Sequence, residues 1–322
     1  MTGVDYEAEY NNRARVPENP ALIAGWAKDA ATYRVTHAPR PISYGPGARH
    51  VIDFFPGDGK GPIVVFIHGG YWQALDGSSF SHLARGLNAH GVSVAIPSYD
   101  LCPNVTVGEI IGQMRMASRE LARLGQPLVI SGHSAGGHLA ACMLATDWPA
   151  FDASLPADLV IAAYAISGLF DLGPLIGTSI NKAMGLDQAT ARATSPLFWQ
   201  APARLSLDAV VGENESAEFF RQSRTIVDLW GKAGVATRFG TVPGANHFTA
   251  IAPLAEANSP MVLRLKQLAG RSISKKCWMR RIWAIAPNYF KYKMFRSEAL
   301  PGVLELGLKP FIPKARGDGY VR

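Results

Sequence analysis

The chain alternates between short continuous apolar runs and longer stretches in which apolar residues recur at helical spacing. Ile63-Val64-Val65-Phe66-Ile67 is apolar without a break, the pattern of a strand buried on both faces. Comparable runs over residues 92–97, 128–131, 159–166, 207–211 and 237–242 predict further strands. Between them, helical spacing predicts helices over 79–89, 107–124, 139–145 and 217–232, and a closing helix over 260–268. Gly91, Gly125 and Gly234 stand just past three of these, where a left-handed residue ends a helix. Strands alternating with helices imply an α/β fold: a mostly parallel sheet with helices on both faces. Three stretches break the rhythm. Residues 1–35 carry helical spacing after a proline-containing lead, and predict one or two helices packed outside the core. Residues 49–55 alternate, predicting a half-buried antiparallel edge strand. Residues 172–206 lack a strand pattern and hold Gly, Pro and short helical pieces, as an insertion over a site would.

Chemistry concentrates where the apolar runs end. Leu128-Val129-Ile130-Ser131 leads into Gly132-His133-Ser134-Ala135-Gly136, and a helical run follows. A strand, a sharp turn and a helix with serine at the apex form a nucleophile elbow, whose glycines allow a strained turn and close backbone packing. A serine hydroxyl is a poor nucleophile at neutral pH. It needs a base within reach, an acid to orient that base, and donors for the developing oxyanion. On this fold the order is Ser, then Asp or Glu, then His. Of eight histidines only His138 and His247 follow Ser134. His138 lies on the elbow helix, whereas His247 follows the last strand, which makes His247 the base. Glu215, just past the penultimate strand, is the favoured acid, with Asp171 and Glu213 as alternatives. The oxyanion donors expected are the backbone N–H groups of Ala135 and of Gly69 or Gly70. His68, before those glycines, reads as a structural anchor of its loop, and Tyr71 and Trp72 directly follow.

Composition narrows the partners. The net charge of +7 is concentrated at one end: residues 272–322 hold 11 Lys/Arg against 3 Asp/Glu, leaving 21 against 22 in the preceding 271. A neutral body removes the main support for nucleic-acid binding. The basic, aromatic-interleaved end is read as an accessory extension (271–322), with contact to an anionic membrane the less favoured reading. The expected domain is therefore 1–270. No charge-free apolar window of membrane-spanning length and no apolar leader is visible, and Cys102, Cys142 and Cys277 do not make a disulfide framework. A cytoplasmic setting is expected.

The ordered set of His68-Gly69-Gly70-Tyr71-Trp72, Gly132-His133-Ser134-Ala135-Gly136-Gly137-His138-Leu139, Glu215-Ser216-Ala217-Glu218-Phe219-Phe220-Arg221-Gln222-Ser223 and Asn246-His247-Phe248 resembles the α/β-hydrolase superfamily. Within it, residues 10–270 are similar to the kynurenine formamidase (arylformamidase) group, beside the hormone-sensitive-lipase-like esterases. Animal members usually carry Asp where Glu215 stands; the exchange keeps the charge and lengthens the arm by one methylene. The resemblance implies hydrolysis of N-formyl-L-kynurenine to formate and L-kynurenine by Ser134, His247 and Glu215, without metal or cofactor. It implies an aromatic wall and polar groups for the substrate, with Tyr71, Trp72, Phe170 and Asn181 as candidates. A broader esterase or aryl-amidase acting on small acyl groups would use the same machinery. A non-catalytic binding protein on this fold would lack a member of the set, and none is missing.

Overall fold

A computed structural model of the chain describes residues 3–59 and 61–270. The basic stretch 271–322, and with it the expected boundary at residue 270, lies outside the described residues. Eight strands form one sheet: β1 (Arg40–Ser43), β2 (Val51–Phe55), β3 (Ile63–Ile67), β4 (Val94–Pro97), β5 (Leu128–His133), β6 (Val160–Ile166), β7 (Ser206–Gly212) and β8 (Ala236–Val242). Their spatial order is β1-β2-β4-β3-β5-β6-β7-β8. All pairs from β4 to β8 run parallel, while β1 with β2 and β2 with β4 are antiparallel. The stretch predicted as an edge strand is β2, which is antiparallel as expected but flanked on both sides. The short, exposed β1 takes the edge instead.

The continuous apolar runs are explained by two cores. Along β3, Ile63, Val65 and Ile67 face one cluster, and Val64 and Phe66 face the other. Strand β5 divides likewise, with Ile130 in the first and Val129 in the second. A strand at the centre must be apolar at every position because both faces are covered. The longer helices are α1 (Asn19–Thr36), α2 (Val107–Ala122), α3 (Ala135–Leu144), α4 (Ala217–Lys232) and α5 (Pro260–Ala269). Residues of α2, α3 and α4 belong to the first core, and α5 and Trp26 of α1 to the second. Thr106 starts α2 through a reciprocal cap with Glu109, a signal written in the sequence as Thr-x-x-Glu. Asp208 is the charged residue on buried β7, and Arg264 of α5 neutralises it at 2.7 and 3.0 Å.

One helix differs from expectation. Residues 79–89 were expected as a single helix, but the chain forms a 3-10 segment, Gly77–Leu83, and then a short α-helix, Ala84–Asn88. Asp76 caps Ser78, and the Ser81 hydroxyl bonds back to the Ser78 carbonyl, which favours the tighter winding. The insertion 172–206 contains only short helical turns, among them Asn181–Met184 and Gln188–Ala193.

Candidate active site

Ser134 is the single residue between β5 and α3, and its backbone sits at φ 57°, ψ −117°. That region is strained for any residue with a side chain, and persists only where the surroundings enforce it. The two glycines of the turn do so. A Cβ on Gly132 would lie 2.1 Å from the Gly136 carbonyl oxygen, and one on Gly136 would lie 1.9 Å from that of Ile67. Only bare backbone lets α3 approach the ends of β3 and β5 this closely. The turn is pinned further by the Ser134 N–H, which donates to the Ile166 carbonyl of β6 at 2.8 Å.

Strand β7 ends in a loop that holds Glu215, and β8 ends in a loop that holds His247. The two side chains meet, Nδ1 to Oε2, at 2.7 Å, and both are nearly sealed from solvent. The other Glu215 oxygen accepts from the Ser167 hydroxyl at 2.5 Å and from the Gly212 N–H at 2.7 Å. A carboxylate with three donors is fixed in direction, and so is the ring it holds. Phe219 of α4 backs that ring at 4.7 Å between centroids. His133, the residue before Ser134, donates from Nε2 to the His247 carbonyl at 2.9 Å. Burial, and then the neighbouring His247, hold His133 well below the ordinary imidazole range, so this ring stays neutral and supports the loop.

Gly69 and Gly70 face the elbow from the end of β3. A Cβ on Gly69 would be 2.8 Å from the His133 carbonyl oxygen and 3.0 Å from Ser134 Cβ, and Gly70 lies at φ 108°. Ala135 opens α3, where the first N–H groups have no acceptor within the helix. His68 anchors this loop: its ring is stacked on Tyr99 at 4.2 Å, and burial pushes its pKa down to about 4.

Ser134 and His247 open into one cavity of about 350 Å³. Its aromatic lining is Tyr10, Trp26, Tyr71 and Phe248, and Ser179 and Ile180 of the insertion join it. Tyr10, Asn11, Asn12 and Arg13 line it from a strap of two short helices, Tyr6–Tyr10 and Asn12–Arg15. The Tyr71 hydroxyl donates to the Tyr10 carbonyl at 2.7 Å and accepts from Asn12 Nδ2 at 3.2 Å. Tyr10 in turn donates to Glu218 at 2.7 Å and accepts from Gln222 Nε2 at 2.9 Å. Among the described residues, no group of three or more His, Cys, Asp or Glu is placed to hold a metal ion.

Comparison with known proteins agrees with this layout. Residues 64–290 match the model of the alpha/beta hydrolase family. The chain belongs to the α/β-hydrolase family. It is 28% identical to a kynurenine formamidase of Danio rerio over 249 residues, 74% of this chain and 84% of that protein. A kynurenine formamidase of Drosophila melanogaster is 30% identical over 227 residues, 65% of this chain and 74% of that one. A solved structure from Silicibacter sp. TM1040, provisionally assigned as a thioesterase, superposes with a TM-score of 0.70 at 37% identity, covering 81% of this chain and 98% of that one.

Within this hydrolase the three acid candidates occupy different places. Glu215 is bonded to His247, whereas Glu213 accepts from the Gly244 N–H and Asp171 from the Gly173 N–H. Of the four substrate-contact candidates, Tyr71 lines the cavity. Trp72 is fully buried and packs edge-on against His138 at 5.0 Å, and Phe170 is fully buried in the first core. Asn181 uses its amide to brace its own loop, donating to the Ile176 and Leu186 carbonyls and accepting from the Leu186 N–H. None of these three lines the cavity: Trp72 and Phe170 are sealed in the core, and the Asn181 amide is spent on its own loop. The N-terminal segment was expected outside the core; it forms a wall of the cavity. Its only signal in the sequence was Tyr10-Asn11-Asn12-Arg13 ahead of Trp26, polar and aromatic residues without core spacing. No helix among the described residues is long and apolar enough to cross a membrane.

Proposed function

We propose that this hydrolase is an arylformamidase that cleaves N-formyl-L-kynurenine to L-kynurenine and formate. One observation carries the reading: Ser134 and His247, the latter held by Glu215, border a single small cavity to which Tyr10, Trp26, Tyr71 and Phe248 contribute aromatic walls. A formyl group needs almost no acyl space, and an aryl amine needs flat apolar walls. The kynurenine formamidases of fish and fly support the choice of amide.

In this reading Ser134 Oγ attacks the formyl carbon as its proton passes to His247 Nε2. The carbonyl π pair moves to oxygen, and the N–H groups of Ala135 and of Gly69 or Gly70 hold the oxyanion. Glu215 keeps the ring oriented and stabilises the imidazolium. Collapse breaks the C–N bond, and His247 returns the proton to the departing aryl amine. Water then attacks the formyl ester of Ser134 with His247 again as base, releasing formate and restoring the serine.

A thioester or ester reading rests on the Silicibacter structure, which at 37% identity carries a thioesterase assignment. The test compares kcat/KM for N-formylkynurenine, p-nitrophenyl acetate and a short acyl thioester. The formamide is expected to lead. Negligible turnover of it beside strong ester or thioester cleavage overturns the assignment.

A further inference from the structure

The cavity wall has an uneven charge. Arg13 is the one Lys, Arg, Asp or Glu among the described residues that line it. Other polar wall groups are already engaged in building the wall. Asn12 bonds Tyr71, Asn11 accepts from the Ala14 N–H, and Gln73 donates to the Ile180 carbonyl. The acids of the same strap are engaged as well. Glu7 accepts from both the N–H and the hydroxyl of Ser179, and Glu9 accepts from the Glu218 N–H. Among the described residues, no carboxylate pairs with the Arg13 guanidinium.

The backbone under this arginine is held firmly. Asn19 Nδ2 donates to the Arg13 carbonyl at 3.1 Å and to that of Val16 at 2.7 Å. One residue before it, Asn12 is tied to Tyr71. Three residues before it, the buried Tyr10 hydroxyl is locked between Glu218 and Gln222. The strap is therefore a rigid mount, and Arg13 is the unpaired charge it carries to the exposed rim of an aromatic cavity. A guanidinium with free donors recognises a carboxylate by paired, charge-assisted hydrogen bonds.

We infer that Arg13 is a specificity-determining residue that binds a carboxylate on the substrate, on the side remote from the acyl group. The substrate class is then an aryl amide or ester carrying a carboxylate substituent. This deepens the arylformamidase reading and rests on it for the identity of the acyl group.

The test uses the full chain and two aryl acetates of equal size, 3-(4-acetoxyphenyl)propanoate and the corresponding primary amide. The wild-type protein is expected to show a KM about tenfold lower for the carboxylate, the order of a charge-assisted hydrogen bond at a partly solvated site. R13A brings the ratio of the two KM values close to one, R13E inverts it, and R13K retains part of it. Added salt erodes the wild-type preference, because exposed charges are screened. A wild-type ratio of one, or a ratio unchanged in R13A, overturns the inference. N-formylkynurenine is assayed in parallel. If it is not cleaved while the ester pair is still discriminated through Arg13, the formamidase reading falls and the carboxylate site stands.

Discussion

The Glu215 carboxylate accepts three hydrogen bonds, from His247, Ser167 and the Gly212 N–H, and this makes its exchange informative. Gln at 215 keeps the shape but replaces one acceptor oxygen with a donor, which faces either the ring or the Ser167 and Gly212 donors. We expect E215Q to lower kcat by about three to four orders of magnitude with little change in KM, since the orienting acid acts in the transition state. Steady-state kinetics on the best substrate checks this, and a loss below tenfold would remove Glu215 from the role. Ser134→Ala should abolish labelling by a fluorophosphonate; labelling equal to wild type would reassign the nucleophile. These positions were legible in the sequence because order along the chain restricts them: one histidine follows the last strand, and the acid candidates follow only the two strands before it, Asp171 after β6 and Glu213 and Glu215 after β7. Trp72, Phe170 and Asn181 were not separable from true wall residues, because adjacency to a motif does not tell which way a side chain points. In the structure Trp72 turns into the core while its neighbour Tyr71 turns into the cavity.

At the scale of elements, α4 joins the site to its cover. The stretch from Glu215 to Gln222 supplies the acid, then Glu218 and Gln222 for the Tyr10 hydroxyl, and Gln222 also accepts from the Phe170 and Asp171 N–H groups. The motif is therefore a junction between the Glu215–His247 pair, the insertion and the strap. Tyr10→Phe removes a hydroxyl that bridges two buried partners, and should cost roughly 1–3 kcal/mol while raising KM through a loosened strap. Urea denaturation and substrate titration measure the two effects; unchanged values of both would mean the strap is not held from α4. At the elbow, Gly136→Ala places a methyl 1.9 Å from the Ile67 carbonyl oxygen, against backbone that cannot yield. Its cost should exceed the roughly 1–3 kcal/mol of ordinary overpacking, and the variant should recover little folded protein. The strands and α2 to α5 were readable because their periodicity answers to a single sheet. The strap was not, since its two helices are a single turn or little more and are held by side-chain bonds to residues some 60 and 200 positions away.

Across the molecule, the catalytic end of the sheet is stabilised by imidazoles that must stay neutral. His68 is stacked on Tyr99 and Phe80, and His138 donates from Nε2 to the Thr194 carbonyl while packing against Trp72. Both rings are fully buried, and burial lowers each pKa from 6.5 to about 4. Between these values the unfolded chain takes up protons that the folded chain refuses. Stability therefore rises with pH across that window, is complete above about 6.5, and is lost as the pH falls toward 4. At about 1.4 kcal/mol per unit the two rings account for up to roughly 3 kcal/mol each at the acid end. That is a large share of the marginal stability of a folded chain, so acid should unfold this protein before its exposed carboxylates alone would require. His138→Gln keeps an N–H for Thr194 and cannot titrate. Chemical denaturation at several pH values should give a shallower slope for this variant between pH 4 and 6.5, by up to about 1.4 kcal/mol per unit, and parallel behaviour above it. A slope identical to wild type would show that the buried ring is not the group that resists protonation.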